Sequence, residues 1–245
     1  MKADGSNDRI AGVAVVVPAR NEAALIADCL RSVEEAVRHL GTRMPVVTVV
    51  VDDSSSDGTG HIAHEFDDVI VLQAPGGNVG LARARGVEHA LAALAALGVA
   101  PEQLWIANTD ADSTVPEHWL EAQLGLAEHG ADVVIGTVRP TFAELDAEQV
   151  EAWLQLHEPG VARGDVHGAN LGLRGSTYLD AAGFRPLAEH EDVDLVTRLR
   201  AANEARVVAS AAAEVVTSGR LWGRSPGGFA GYLRTQLGPG KLVVR

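Results

Sequence analysis

Gly12-Val13-Ala14-Val15-Val16-Val17-Pro18-Ala19-Arg20-Asn21-Glu22 is the stretch on which the fold turns. A continuous apolar run closed by Pro18 reads as a strand covered on both faces, the mark of a largely parallel sheet. Four more runs follow, at residues 46–51 (VVTVVV), 69–72 (VIVL), 104–107 (LWIA) and 132–138. Helix-like segments lie between them at 22–40, 59–66, 79–97 and 116–128. Strand alternating with helix is the doubly wound α/β pattern, so the expected fold class is α/β with a mostly parallel doubly wound sheet.

Past Arg139 this rhythm breaks. Helical stretches at 143–157, 176–182, 192–202 and 229–237 are separated by Gly-rich turns, with no obvious linker at the break. The expectation is a loose leader over residues 1–10 and a single unit over 11–245, whose second half, 139–245, caps the sheet. Gly-Gly and Pro-Gly pairs near Gly227 and Pro239 suggest a mobile tail.

Composition narrows the function. In 245 residues, 47% are hydrophobic and 22% charged, which is ordinary for a globular chain and excludes disorder as its main state. Asp and Glu number 33 against 20 Lys and Arg, a net charge of −13. Such a chain repels phosphate backbones and anionic lipid, so no nucleic acid partner is expected. A local phosphate pocket stays open, because all the basic residues except Lys2 and Lys241 are Arg, which suits bidentate phosphate contacts. Cys29 is the only cysteine, so no intrachain disulfide forms and a cytoplasmic location is expected. The longest apolar run, 90–100, is shorter than the roughly 18 residues of a membrane span, so no integral membrane segment is expected. A homo-oligomer is compatible with the sequence.

In an open parallel sheet, ligands bind beyond the carboxyl ends of the strands. The first strand runs into Arg20-Asn21-Glu22, which also reads as a helix start, with Asn21 capping and Glu22 at the positive end. The second ends in Asp52-Asp53-Ser54-Ser55-Ser56-Asp57-Gly58-Thr59, where Ser56 or Asp57 can cap the next helix. Side chains alternate along a strand, so one of Asp52 and Asp53 could reach a ligand while the other braces the loop. Arg83 and Arg85, two apart near a helix start, point to different faces.

The fourth strand ends in Asn108-Thr109-Asp110-Ala111-Asp112. Asp110 and Asp112 stand at i and i+2, so in extended backbone both project to one side, where they repel unless a cation lies between them. Mg²⁺ or Mn²⁺ held by one or two carboxylates and substrate phosphates is the usual arrangement. The last candidate is 189–200, where four of the six residues from Glu189 to Asp194 are acidic and the basic residues come last. The helix dipole explains that order; an acidic cluster opening a helix could also supply a general base.

Taken in order, these pieces resemble the family-2 glycosyltransferases of GT-A fold. The residues that carry the resemblance are 15–22, 51–59, Asn78-Val79-Gly80 with Ala84-Arg85, Asp110-Ala111-Asp112, Gly168-Ala169-Asn170, and Glu191-Asp192 with Arg198-Leu199-Arg200. The resemblance implies transfer of a sugar from a nucleotide-diphosphate sugar to an unknown acceptor hydroxyl, aided by a divalent cation (Mg²⁺ or Mn²⁺). It implies that 11–138 binds the nucleotide sugar and 139–245 forms the acceptor side. Pro18, Ala19, Arg20 and Glu22 would line the nucleoside pocket, with Asp53 on the base and Asp52 bracing the loop. Asp110, Ala111 and Asp112 would be the DxD element, with Asp112, and Asp110 on the ribose or in the metal shell, at the cation. Asp192 would be the catalytic base, oriented by Glu191. Arg85, with Arg220 or Arg224, would steady the diphosphate.

The chain departs from the family's processive synthases in lacking their QxxRW element and membrane helices, so single transfers are expected. One base and no second nucleophile-like carboxylate favour inversion over retention. Two rivals remain. Asp110-Ala111-Asp112-Ser113-Thr114 also fits the DxDxT loop of haloacid-dehalogenase-like phosphatases, although that family places it on the first strand and needs a downstream Lys. An inactive sugar-nucleotide-binding module would keep the pocket without the base.

Overall fold

The computed structural model describes residues 9–41, 44–223, 225 and 227–237. In chain order the elements are β1 (Gly12–Ala19), α1 (Ile26–Leu40), β2 (Val46–Asp52), α2 (Thr59–Ala63), β3 (Val69–Gln73), α3 (Val79–Ala96), β4 (Leu104–Asn108), β5 (Ser113–Thr114), α4 (Trp119–Glu128) and β6 (Val133–Pro140). They continue with α5 (Ala147–Leu156), β7 (Leu171–Arg174), α6 (Gly175–Asp180), α7 (Glu191–Ala202), β8 (Val207–Thr217) and α8 (Phe229–Leu237).

The strands form one eight-stranded sheet in the order β3-β2-β1-β4-β7-β6-β8-β5. β3, β2, β1 and β4 run parallel, as does β8 beside β6, whereas β7 is antiparallel to both β4 and β6. The continuous apolar run in β1 now has its cause. Val13, Val15 and Val17 enter a core with Ile26, Leu30 and Val33 of α1 and Trp119 of α4. Ala14 and Val16 enter a second core with Ala82, Val87 and Leu94 of α3 and Leu195 and Leu199 of α7. Both faces are covered, so neither strand face needs polar residues. α3 lies close enough to the sheet that a Cβ on Gly86 would come within 2.6 Å of Val16 Cγ1 and 3.0 Å of Val51 Cγ2. Only glycine fits at that crossing.

The second half does more than cap the sheet. It supplies β7 and β8, and the expected division after residue 138 falls inside β6. β7 is only four residues long and is broken by Gly172, so it lacks a sequence signal. β8 reads VVASAAAEVVT, whose central alanines favour helix, but parallel pairing along β6 overrides that propensity. Asn170 fastens this half to the first. Its Oδ1 accepts from Trp119 Nε1 at 2.9 Å and Gln123 Nε2 at 3.2 Å, and its Nδ2 donates to the carbonyls of Thr137 and Ala213 at 2.9 and 2.8 Å.

Helix starts also differ from expectation. α1 begins at Ile26 rather than at Glu22: Asn21 is left-handed at φ 52°, its side chain is taken by the Ser56 amide, and the chain passes through a turn at 23–25 before the helix starts. Asn21 therefore does not cap α1. Pro239 of the expected tail, and residues 1–8 of the expected leader, lie outside the described residues.

Candidate active site

The ends of β1, β2 and β4 and the start of α7 surround a cleft of about 530 Å³. It lies beyond the carboxyl ends of the parallel strands, where the topology of a doubly wound sheet opens a crevice.

The loops after β1 and β2 are laced together. Asn21, in the left-handed region at φ 52°, accepts from the Ser56 amide at 2.8 Å, and its own amide donates to Ser55 Oγ at 3.0 Å. The Glu22 amide donates to Thr59 Oγ1 at 2.8 Å, and the Ala23 amide to Asp57 Oδ2 at 3.0 Å. Asp57 also accepts from the Thr59 amide at 3.1 Å, and its hydrogen bonds hold its carboxyl below the ordinary value against the opposing pull of burial. Asp52 and Asp53 part as strand alternation requires. Asp52 accepts from the Ser55 amide at 3.0 Å and from Gln73 at 3.1 Å, inside the loop. Asp53 turns to the cleft, accepting from the Gly77 amide at 2.9 Å with Arg20 Nη1 at 4.0 Å.

Asp110 and Asp112 reach the same cleft, each with its own arginine. Asp110 Oδ1 accepts from Arg83 Nη2, and Arg83 Nε donates to Glu191 Oε1 at 2.9 Å. Arg83 is 1% exposed, and its Nη1 is buried without a partner among the described residues. A Cβ on Gly168 would overlap that guanidinium, so the glycine leaves it room. Asp112 Oδ2 accepts from Arg220 Nη2 at 2.7 Å, and Oδ1 accepts from Thr217 Oγ1 at 3.3 Å. Arg220 also forks onto Glu22, at 3.0 and 2.7 Å. Burial, with the Asp110 charge adding and Arg220 opposing, pushes the Asp112 carboxyl up to about 6. Burial likewise raises Glu191, against the pull of Arg83.

The acidic cluster at the start of α7 separates by role. Glu191 is buried against Arg83, and Asp194 pairs with Arg185 at 3.1 Å and Arg198 at 2.8 Å. Asp192 is left half-exposed on the cleft wall, its Oδ1 accepting from the Val193 amide at 2.8 Å. His190, left-handed at φ 61°, turns the chain into the helix.

Pro18, Ala19, Arg20, Glu22, Asp53, Asp110, Ala111, Asp112, Glu191 and Asp192 thus line one cleft. Arg85 does not. It is exposed, and Arg83 faces the cleft in its place. Arg83 belongs to the stripe Gly80, Arg83, Val87, Ala90 and Leu94, all buried and spaced as the inner face of a helix. That stripe was available in the sequence and would have selected Arg83. Arg224 lies outside the described residues. A second cavity of about 390 Å³ adjoins the first, and Val138 and His167 line both.

The family model described as Glycosyl transferase family 2 matches residues 14–161, more than half of the chain. The chain belongs to glycosyl transferase family 2. The match runs from β1 to just past α5 and so contains Asp53, Asp110 and Asp112, while Glu191, Asp192 and Arg220 lie beyond it. With membership of that family, the phosphatase reading of Asp110 falls away. No curated protein sequence matches. Solved structures do. S. aureus TarS 1-349 matches at TM-score 0.60 and 16% identity, over 85% of this chain and 60% of that one. M. tuberculosis glucosyl-3-phosphoglycerate synthase matches at 0.56 and 19%, over 93% and 78%. The Pyrobaculum calidifontis mannosyltransferase PcManGT, in complex with GDP-Man and Mn²⁺, matches at 0.51 and 24%, over 84% and 56%. At these identities the likeness is one of fold, the GT-A type, and the chain spans about 60% of the TarS structure it matches. Among the described residues no helix is long and apolar enough to cross a membrane.

Proposed function

We propose that this family-2 glycosyltransferase moves a sugar from a nucleoside-diphosphate sugar, bound in the larger cleft, to an acceptor hydroxyl, with inversion and one transfer per encounter. The observation that carries the reading is the meeting of Asp53, Asp110, Asp112 and Asp192, from two strand ends and a helix start, on one cleft. Residues 11–138 hold the donor and 139–245 shape the acceptor side, as the adjoining cavity supports. The lone buried Cys29 supports work in the cytoplasm.

Asp53 accepts hydrogen bonds from the base, and Pro18, Ala19 and Arg20 flank it. The half-exposed Asp192 takes the proton of the acceptor hydroxyl as its oxygen attacks the anomeric carbon. The bond from that carbon to the diphosphate breaks on the opposite face. Glu191 keeps Asp192 in register through its bond to Arg83. A positioned base of this kind contributes about 10²–10⁴-fold.

The site suits a divalent cation. Its lining carries Arg20, Arg83 and Arg220 against Glu22, Asp53, Asp110, Asp112, Glu189, Glu191 and Asp192, three positive groups against seven negative. An anionic diphosphate would be repelled from such a lining without further positive charge. Asp110 and Asp112 are hard oxygen donors, and among the described residues no group of three or more His, Cys, Asp or Glu could hold a metal alone. That matches Mg²⁺ or Mn²⁺ shared between one or two carboxylates and phosphate oxygens. When bound, the cation offsets charge building on the leaving diphosphate.

The test is a thermal-shift screen of UDP-, GDP-, ADP- and dTDP-sugars with Mn²⁺. A donor at 100 times its Kd adds about 2.7 kcal/mol of stability. If no nucleotide sugar stabilises the protein, the reading fails.

A further inference from the structure

Arg220 stands three residues beyond β8, and its charge is turned onto the protein's own carboxylates. Its two terminal nitrogens fork onto Glu22 at 3.0 and 2.7 Å, and Nη2 also meets Asp112 Oδ2 at 2.7 Å. Thr217 Oγ1 occupies the other oxygen of Asp112 at 3.3 Å. A divalent cation arriving alone therefore meets a carboxylate already neutralised by a guanidinium, and like charges there repel. Among the described residues it also finds too few protein ligands to hold it without phosphate oxygens.

A diphosphate changes both conditions. It gives a cation further oxygens, and it gives Arg220 a pair of phosphate oxygens that suits its planar fork as well as a carboxylate does. The Arg220 side chain is 34% exposed, whereas Glu22 and Asp112 are 3% and 15% exposed, so the guanidinium is the partner with room to turn.

We propose that Arg220 is an internal counter-ion. It holds Asp112 while the cleft is without donor, and gives that carboxylate up to the divalent cation when the diphosphate arrives, carrying its own charge onto the diphosphate. Cation and donor then bind cooperatively, each raising the affinity of the other by the same factor. The inference rests on the nucleotide-sugar reading above.

The test is calorimetric titration of the full chain with Mn²⁺, alone and with saturating UDP or GDP. Arg220→Gln should bind Mn²⁺ alone about tenfold more tightly than wild type, while binding the nucleoside diphosphate more weakly. The melting temperature of the Gln variant, lowered in chelator because Glu22 and Asp112 lose the Arg220 charge, should rise with Mn²⁺ by more than that of wild type. If the Gln variant does not fold, Arg220→Lys decides. One ammonium cannot bridge Glu22 and Asp112 as the fork does, so Mn²⁺ alone should bind that variant several-fold more tightly than wild type. Unchanged Mn²⁺ affinity in the folded variant overturns the proposal, and so does equal stabilisation of variant and wild type by Mn²⁺. Failure of the underlying reading looks different: no UDP, GDP, ADP or dTDP then binds wild type in the presence of Mn²⁺.

Discussion

Arg83 Nε donates to Glu191 Oε1 across 2.9 Å, joining residues 108 positions apart in the chain. The same guanidinium bonds Asp110, so one buried cation ties the proposed DxD element to the helix that bears the proposed base. Glu191 could not be buried so deeply without it.

Arg83→Met should therefore cost about 3–5 kcal/mol of stability, because Glu191 is left as a buried charge without a counter-ion. Arg83→Lys keeps the charge but reaches only one partner well, and should fall between Met and wild type. Urea unfolding measures both. A Met variant with an unchanged midpoint would show that the network carries no such strength.

Asp192→Asn is nearly isosteric and cannot accept a proton. Donor binding should survive, and transfer should drop by about two to four orders of magnitude. Transfer near the wild-type rate with normal donor binding would remove Asp192 from the base role and favour retention, where the leaving phosphate takes the acceptor proton.

Asp53→Ala should weaken free nucleotide and sugar nucleotide alike, by about tenfold or more, as loss of a hydrogen bond to a charged group predicts. Calorimetry with both ligands distinguishes the roles. If only the sugar nucleotide suffers, Asp53 belongs to the sugar and not to the base.

His167 supplies a pH dependence. Burial pushes its pKa below the ordinary value, with Asp192, Asp165 and Asp110 opposing. The unfolded chain binds that proton more readily than the folded one, so the stability His167 contributes is present above about 6.5 and is lost as pH falls through its lowered pKa. Thermal melts of wild type and His167→Gln between pH 7.5 and pH 5 should converge on acidification, with Gln the less acid-sensitive. Parallel curves would contradict the shift.

Much of this was legible in the chain alone. The Val-rich runs and the helices between them followed from periodicity, because a strand covered on both faces must be apolar throughout. Asp52 and Asp53 could be assigned opposite directions from the pleat, although which one turns to the ligand could not. β8 was not legible: its alanines score as helix, and only its ladder with β6 makes it a strand. The family's spacing points to Arg85, whereas the buried stripe on α3 carries Arg83.

What the sequence determined by itself is the local part: strand and helix over most of the first half, the carboxylates at the strand ends, and the family they resemble. Only the tertiary structure decided the partners. Arg83 with Glu191, and Arg220 with Glu22, 198 positions away, are pairs that no local pattern encodes. The reason is physical. Periodicity reports which face of an element is buried, but the counter-ion of a buried charge is chosen by whichever distant element packs against it, and that choice exists only once the sheet has closed.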